Sequence, residues 1–255
     1  MNVVAIKGSG GGVGVTTIVA QLTAQLTAQR RRTLAFDFSP RNVLRLHFGM
    51  PWSDDTGLAP QILSGKPWHE AAFRSAGAID FVPFGRVNGS MATADFSALL
   101  NRDGEWFANR IKELAMPPNS LVICDCPADE ETLQAQVMST AQLALVVVAP
   151  DAVSYASATI AVETALSQGA GEVLLLLNGF DSTRTLDRDI SLTLHNESRH
   201  RFVPVTIHRD EHLREAVACK QTILEYAPAS RAAYDFDALA TWLFTHLSHV
   251  KSGVS

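Results

Sequence analysis

The run Gly8-Ser9-Gly10-Gly11-Gly12-Val13-Gly14-Val15-Thr16-Thr17 joins an apolar, β-branched stretch, "NVVAIK", to an apolar-faced segment of helical spacing, "TTIVAQLTAQLTAQ". A strand that turns through glycines straight into a helix aims several backbone N–H groups and the positive end of the helix dipole at one place, with no Cβ to obstruct an anion. Such a turn suits a phosphate cradle over residues 9–17. The alternative is a glycine-rich turn that binds nothing. Other polar residues stand at the ends of apolar runs: Asp37 in "TLAFDFSPRN", Asp125 in "LVICDCPAD", Asn178 in "EVLLLLNG" and His208-Arg209-Asp210 after "VPVTI". Taken singly, each has an ordinary reading, the acids as turn or cap residues and Asn-Gly as a turn. His208 reads as a solvent-facing or hydrogen-bonded ring. Cys124, Cys126 and Cys219 lack metal-ligand or disulfide-framework spacing, so they read as packing residues in a reducing compartment, with a redox or iron–sulfur role as the alternative.

These residues need a scaffold, and the rest of the chain describes one. Apolar runs at 2–7, 33–37, 79–83, 120–125, 142–148, 172–177 and 202–207 alternate with helical patterns near 16–29, 104–115, 130–140, 153–168, 185–197 and 211–219. That alternation predicts an α/β fold: a doubly wound, mostly parallel sheet of about seven or eight strands with helices on both faces. Gly8 to Gly14, Pro40, Pro117-Pro118, Pro127, Pro150 and Gly179 fall where elements should stop. The stretch 50–100 is the least regular and should carry a peripheral helix and loop. In such a sheet, ligands collect at the carboxyl ends of strands near the topological switch point, where the glycine turn and the acids are expected to meet.

With 255 residues, 47% of them hydrophobic, the chain can bury one large core, and a single domain over 1–255 is expected. A formal net charge of −5 gives no global basic field, which argues against nucleic acid as a partner. The basic run Arg30-Arg31-Arg32 lies at a helix C-terminus, which favours cations by itself. No secretion signal is legible, and the longest apolar stretch, "AQLALVVVAP", is well short of the roughly 20 residues that span a bilayer. A soluble, cytoplasmic protein is expected. A final helix near 229–248 carries an apolar stripe, Phe236, Leu239, Trp242, Leu243 and Leu247, with little positive charge opposite. It should pack on the domain rather than lie on a membrane. Residues 250–255 are expected to be a disordered tail.

Gly10-Gly11-Gly12-Val13-Gly14-Val15-Thr16-Thr17 resembles the deviant Walker A motif of the MinD/ParA family, KGGxGK[ST][ST], and the likeness extends from Val3 to about Trp242. Gly11, Gly12, Gly14, Thr16 and Thr17 match, whereas Gly10 and Val15 occupy the positions of the family's two lysines. The resemblance implies a P-loop NTPase-like fold with ATP (or ADP) and Mg²⁺ as cofactors. Residues Gly10, Gly11, Gly12, Val13, Gly14, Val15, Thr16 and Thr17 would surround the phosphates. Thr16 would hold the metal, and Asp37 and Asp125 would support it through water. Asp37 also falls on the first acid of the switch I pattern D-x-D and is a catalytic candidate, with Ser39 where the water-polarising aspartate should be. In the other register Asp37 is the second acid and Ala35 the first; one carboxylate is missing in both. Asp125, Pro127 and Ala128 match the switch II motif D-x-P-A-G, with Asp129 in place of the glycine. Asn178 matches an adenine-contacting asparagine, and His208, Arg209 and Asp210 would lie beside the base. Lys7, Arg41 or a partner's arginine are the candidates for the missing cation.

Within the family, "NVLRLHFG", "FVPFG" at 81–85, "IHRDE" and "CKQTILEY" are similar to the BcsQ subgroup associated with bacterial cellulose synthesis. That likeness implies an accessory protein of cellulose biosynthesis and secretion. Its expected form is a homodimer with nucleotide at the interface, recruited peripherally to the inner-membrane synthase through the short partner BcsR and the cyclic-di-GMP-binding BcsE. Two modes of action follow. One is a nucleotide-dependent scaffold with slow or absent hydrolysis, and the other is an active ATPase that positions cellular machinery.

Overall fold

The computed structural model describes residues 1–87 and 90–252. Its strands are β1 (Asn2–Gly8), β2 (Thr33–Asp37), β3 (Phe73–Arg74), β4 (Asp80–Val82), β5 (Leu121–Asp125), β6 (Leu143–Val148), β7 (Val173–Phe180) and β8 (Ile207–His208). They lie in the order β3-β4-β2-β5-β1-β6-β7-β8. Every pairing is parallel except β3 with β4. The helices are α1 (Val15–Ala28), α2 (Leu44–His47), α3 (Leu58–Leu63), α4 (Ser90–Arg102), α5 (Trp106–Glu113) and α6 (Glu131–Met138). They continue with α7 (Ala152–Ser167), α8 (Thr185–Glu197), α9 (His212–Ala218), α10 (Ile223–Tyr226) and α11 (Arg231–Ser252).

Successive side chains of a strand point to opposite faces, so a strand that is apolar throughout must be covered on both. Along β1, Val4 and Ile6 pack on one side with Ile18, Leu22 and Leu26 of α1 and Phe236, Leu239 and Leu243 of α11. Val3 and Ala5 pack on the other with Phe107 of α5, Leu133 and Val137 of α6 and Val162 of α7. The stripe on α11 is therefore core: Phe236, Leu239, Leu243 and Leu247 are buried, and Gln25 Nε2 donates to Ala233 O at 2.9 Å to tie α1 to α11. Burial of each such side chain stabilises the fold by about 1.5–3 kcal/mol. Arg31 stacks over the Phe244 ring at 3.6 Å and Arg32 pairs with Asp80 at 3.4 Å, so two members of the basic run serve packing and charge balance.

The observed elements depart from the sequence expectation in several places, among them the short helices α2 and α10, which it did not include. The expected strand 202–207 is reduced to an isolated bridge between Phe202 and Leu175 and the short β8, because Pro204 between them has no N–H to donate to a ladder. The antiparallel edge strand β3 was not anticipated, being too short to show a period. The final helix continues through 250–252, where a disordered tail was expected; 253–255 lie outside the described residues.

Candidate phosphate and metal site

β1 is central in the sheet and delivers the chain into the glycine turn. The turn folds back so closely that a Cβ on Gly8 would lie 2.4 Å from Gly10 O. Gly14 has φ 95°, a left-handed conformation that suits glycine, and opens α1 with no side-chain cap. The first N–H groups of α1 are left facing outward with the dipole behind them. A Cβ on Gly10 or Gly11 would meet no atom within 4 Å, so the loop presents bare backbone to an open cleft of about 180 Å³. That cleft is lined by the loop glycines, Val15, Thr16, Thr17, Ser39, Arg41 and Asp125, among others.

The acids arrive from the neighbouring strands. β2 and β5 are adjacent and in register, with Asp37 opposite Asp125 at their carboxyl ends. Phe36 and Phe38 anchor the end of β2, with Phe38 meeting Phe107 edge to face at 4.9 Å. The Asp37 carboxylate accepts N–H bonds from Ser39 at 2.8 Å and Leu44 at 3.3 Å. Burial, and then the charge of Asp125, push its pKa well above the usual carboxylate range against those two bonds. Burial raises Asp125 to about 7, opposed by a hydrogen bond from the Thr16 side chain and by the Arg41 charge. Asp125 Oδ2 is buried and accepts no hydrogen bond.

Two buried carboxyls side by side, one with an unpaired oxygen, form a donor set for a hard cation. Mg²⁺ is commonly held by one or two carboxylates together with phosphate oxygens and water. Among the described residues no group of three or more His, Cys, Asp or Glu is placed to hold a metal alone, so further oxygen donors would have to come from a ligand on the loop. The residues present thus fit a metal–phosphate group at Thr16, Asp37 and Asp125. Cys124 and Cys126 flank the site, but both thiols are buried and their pKa values are raised, which keeps them protonated and suits packing rather than redox or cluster chemistry.

Two further clefts adjoin the loop. One, of about 300 Å³, is lined by Gly12, Val13, Gly14, Pro150, Asp151, Asn178, Arg184 and Arg209 among others. A bulge between Asn178 and Phe180 re-aims Asn178, whose Nδ2 donates to Val13 O at 2.8 Å and leaves Oδ1 free for a ligand. His208 and Asp210 do not line this cleft. The His208 ring is paired with Asp235 at 2.9 Å, and Asp210 accepts from His212 and from the Ala232 N–H. Both brace the start of α11 instead. The other cleft, on the far side of the loop, is lined by Lys7, Gly10, Gly11, Asp129 and Gln134 among others. Lys7 Nζ donates to Gln134 Oε1 at 3.1 Å, and burial lowers its pKa. Lys7 and Asp129 are therefore both separated from the Thr16–Asp125 cleft. Sequence reasoning did not single out Arg184, whose place in the cleft beside Asn178 has no local signature, or the use of Asn178 to clamp the loop.

A parallel sheet with a glycine turn after its central strand and paired acids on the next two defines the class: the fold is that of the MinD/ParA-type P-loop ATPases. The MinD cell division protein of Aquifex aeolicus superposes with a TM-score of 0.76 at 19% identity, over 96% of this chain and 97% of that one. The cobyrinic acid a,c-diamide synthase of Mycobacterium smegmatis, crystallised with ADP and magnesium, gives a TM-score of 0.76 at 22% identity, over 99% and 96%. Within that class the chain belongs to the cellulose biosynthesis protein BcsQ family, whose profile matches residues 1–244. The BcsQ protein of Escherichia coli strain K12 is 29% identical to it, over 100% of this chain and 98% of the relative.

Proposed function

We propose that this chain is an ATP- and Mg²⁺-binding accessory protein of bacterial cellulose biosynthesis and secretion, acting as a nucleotide-dependent homodimeric scaffold at the cytosolic side of the synthase. The observation that carries the reading is the orphaned Asp125 Oδ2 beside Thr16, at a glycine loop whose open face has room for phosphates. The ADP and magnesium of the structurally similar mycobacterial synthase support the same ligand class here. Thr16, Asp37 and Asp125 would hold Mg²⁺, which when bound would neutralise phosphate charge. The N–H groups of Gly11 to Thr17 would hold the phosphates, the Thr16 hydroxyl the metal, and Asn178 Oδ1 with Arg209 the base end.

Hydrolysis would be slow or absent. Val15 and Gly10 supply no charge where the family has lysines, and Ser39 cannot polarise water as a carboxylate does. Val153 and Ile160 are large apolar side chains exposed on α7, and Ile160 lines the cleft next to the loop. They favour a protein surface pairing across the nucleotide. No helix among the described residues is long and apolar enough to cross a membrane, and recruitment through partners such as BcsR and BcsE fits that.

The test is sedimentation velocity with and without Mg-ATP. A ligand bound better by the dimer shifts the monomer–dimer balance toward it. An unchanged sedimentation coefficient at saturating Mg-ATP would refute the scaffold reading.

A further inference from the structure

The phosphate cleft holds acids but lacks the cation a P-loop ordinarily contributes. At the helix start stands Val15, and Lys7 is turned away into the other cleft, where its ammonium is bound to Gln134. Among the described residues lining the Thr16–Asp125 cleft, the single cationic side chain is Arg41. It is exposed, and its guanidinium makes no ion pair or hydrogen bond with other described residues.

Arg41 is also carried on an unusually well-fixed turn. Pro40 restricts the preceding backbone, and Asn42 sits at φ 51° in the left-handed region, where asparagine is among the few residues tolerated. Asn42 N donates to Ser39 O at 2.9 Å, and Asn42 Oδ1 accepts from Gly85 N at 3.1 Å. Gly85 lies so close to Gly57 that a Cβ on it would stand 2.7 Å from the Gly57 Cα, so this buttress cannot slide. On the near side, Asp37 accepts the Ser39 and Leu44 N–H groups. The backbone on both sides of Arg41 is thus held by buried hydrogen bonds, and the guanidinium is left free over the cleft.

We propose that Arg41, on the loop after β2, is the cation that binds the β- and γ-phosphates of the nucleotide in place of the missing P-loop lysine. This rests on the nucleotide reading above and adds to it the residue that selects polyphosphates. A guanidinium fork suits bidentate contact with phosphate oxygens better than an ammonium does, and it needs no change in the loop that carries it. Because the cation comes from the loop after β2, polyphosphate binding couples that loop to α1.

The experiment is calorimetric titration of wild type, Arg41→Gln and Arg41→Lys with ATP, ADP and AMP in Mg²⁺. For Arg41→Gln, ATP and ADP affinity falls roughly ten- to hundredfold, as for the loss of a charge-assisted hydrogen-bonded pair, while AMP affinity is unchanged. Arg41→Lys retains more ATP affinity than Arg41→Gln. Adding Val15→Lys to Arg41→Gln recovers ATP affinity, because the charge returns from the P-loop side. The proposal is overturned if Arg41→Gln binds ATP as tightly as wild type, or if it loses AMP affinity in equal measure. If wild type itself takes up no nucleotide, the nucleotide reading falls and the role of Arg41 with it, whereas wild-type binding with an unaffected Arg41→Gln removes Arg41 alone.

Discussion

Replacing Asp125 with asparagine should make the ligand-free protein more stable at pH 8 while destroying its response to Mg-ATP. The unfolded chain releases the Asp125 proton near the ordinary value of 3.8, whereas the folded chain holds it to about 7. Folding therefore binds a proton between those values, and stability falls as pH rises through that window. A gap of about three pH units at about 1.4 kcal/mol each gives an upper figure of about 4 kcal/mol for ionising Asp125 in the fold. Asp37, opposite in register and also raised, shares that cost, so removing one charge should recover about 2–4 kcal/mol, on the order of 10 °C in melting temperature. The assay is thermal denaturation of both proteins without ligand from pH 5 to pH 8, followed by addition of Mg-ATP. The Asp125→Asn advantage should grow with pH, and Mg-ATP should raise the melting temperature of wild type alone. A variant that melts no higher than wild type at pH 8, or whose advantage is the same at pH 5 and pH 8, would refute the reasoning.

Asn178→Ala removes the bond to Val13 O, so it should cost about 1 kcal/mol and speed amide exchange at residues 12–15; unchanged exchange there would show that the loop holds itself. His47 is buried against Gln21 and its pKa is lowered to about 4 by burial, so the unfolded chain takes up the proton first as pH falls below 6.5. Its contribution of about 3 kcal/mol should be lost between pH 6.5 and 4, opposite in sign to that of Asp125, and urea titrations should show that slope flattened in His47→Asn.

The parallel sheet was legible because β1, β5, β6 and β7 are apolar on both faces and are separated by helical periods, and the glycine turn because its spacing is unusual. Asp37 and Asp125 were placed correctly at strand ends, but their adjacency depends on the order β2-β5-β1, which no local pattern encodes. For His208 and Asp210 the family resemblance implied a place beside the base. Their partners, Asp235, His212 and Ala232, lie on α9 and α11, and these contacts exist only once those helices dock. The clamp from Asn178 to Val13 joins residues 165 apart in sequence and depends on a bulge that period-two reading cannot detect. That Lys7 packs against Gln134 while Arg41 borders the Thr16–Asp125 cleft is a matter of packing that spacing does not carry.

The central position of β1 also bears on how the protein is made. β1 is made before its neighbours β5 and β6, with Asn2 opposite Leu121 and Val4 opposite Leu143. Its ladder cannot close on one side before Asp125 has been synthesised, or on the other before Val148. Until then β1 and the β5-facing edge of β2, both largely apolar, have unpaired edges of the kind that invite aggregation. Long-range parallel pairing of this sort forms slowly. Expression should therefore be sensitive to translation rate and to chaperones that shield nascent strands, and an N-terminal fragment ending before β5 should not retain the phosphate loop's shape.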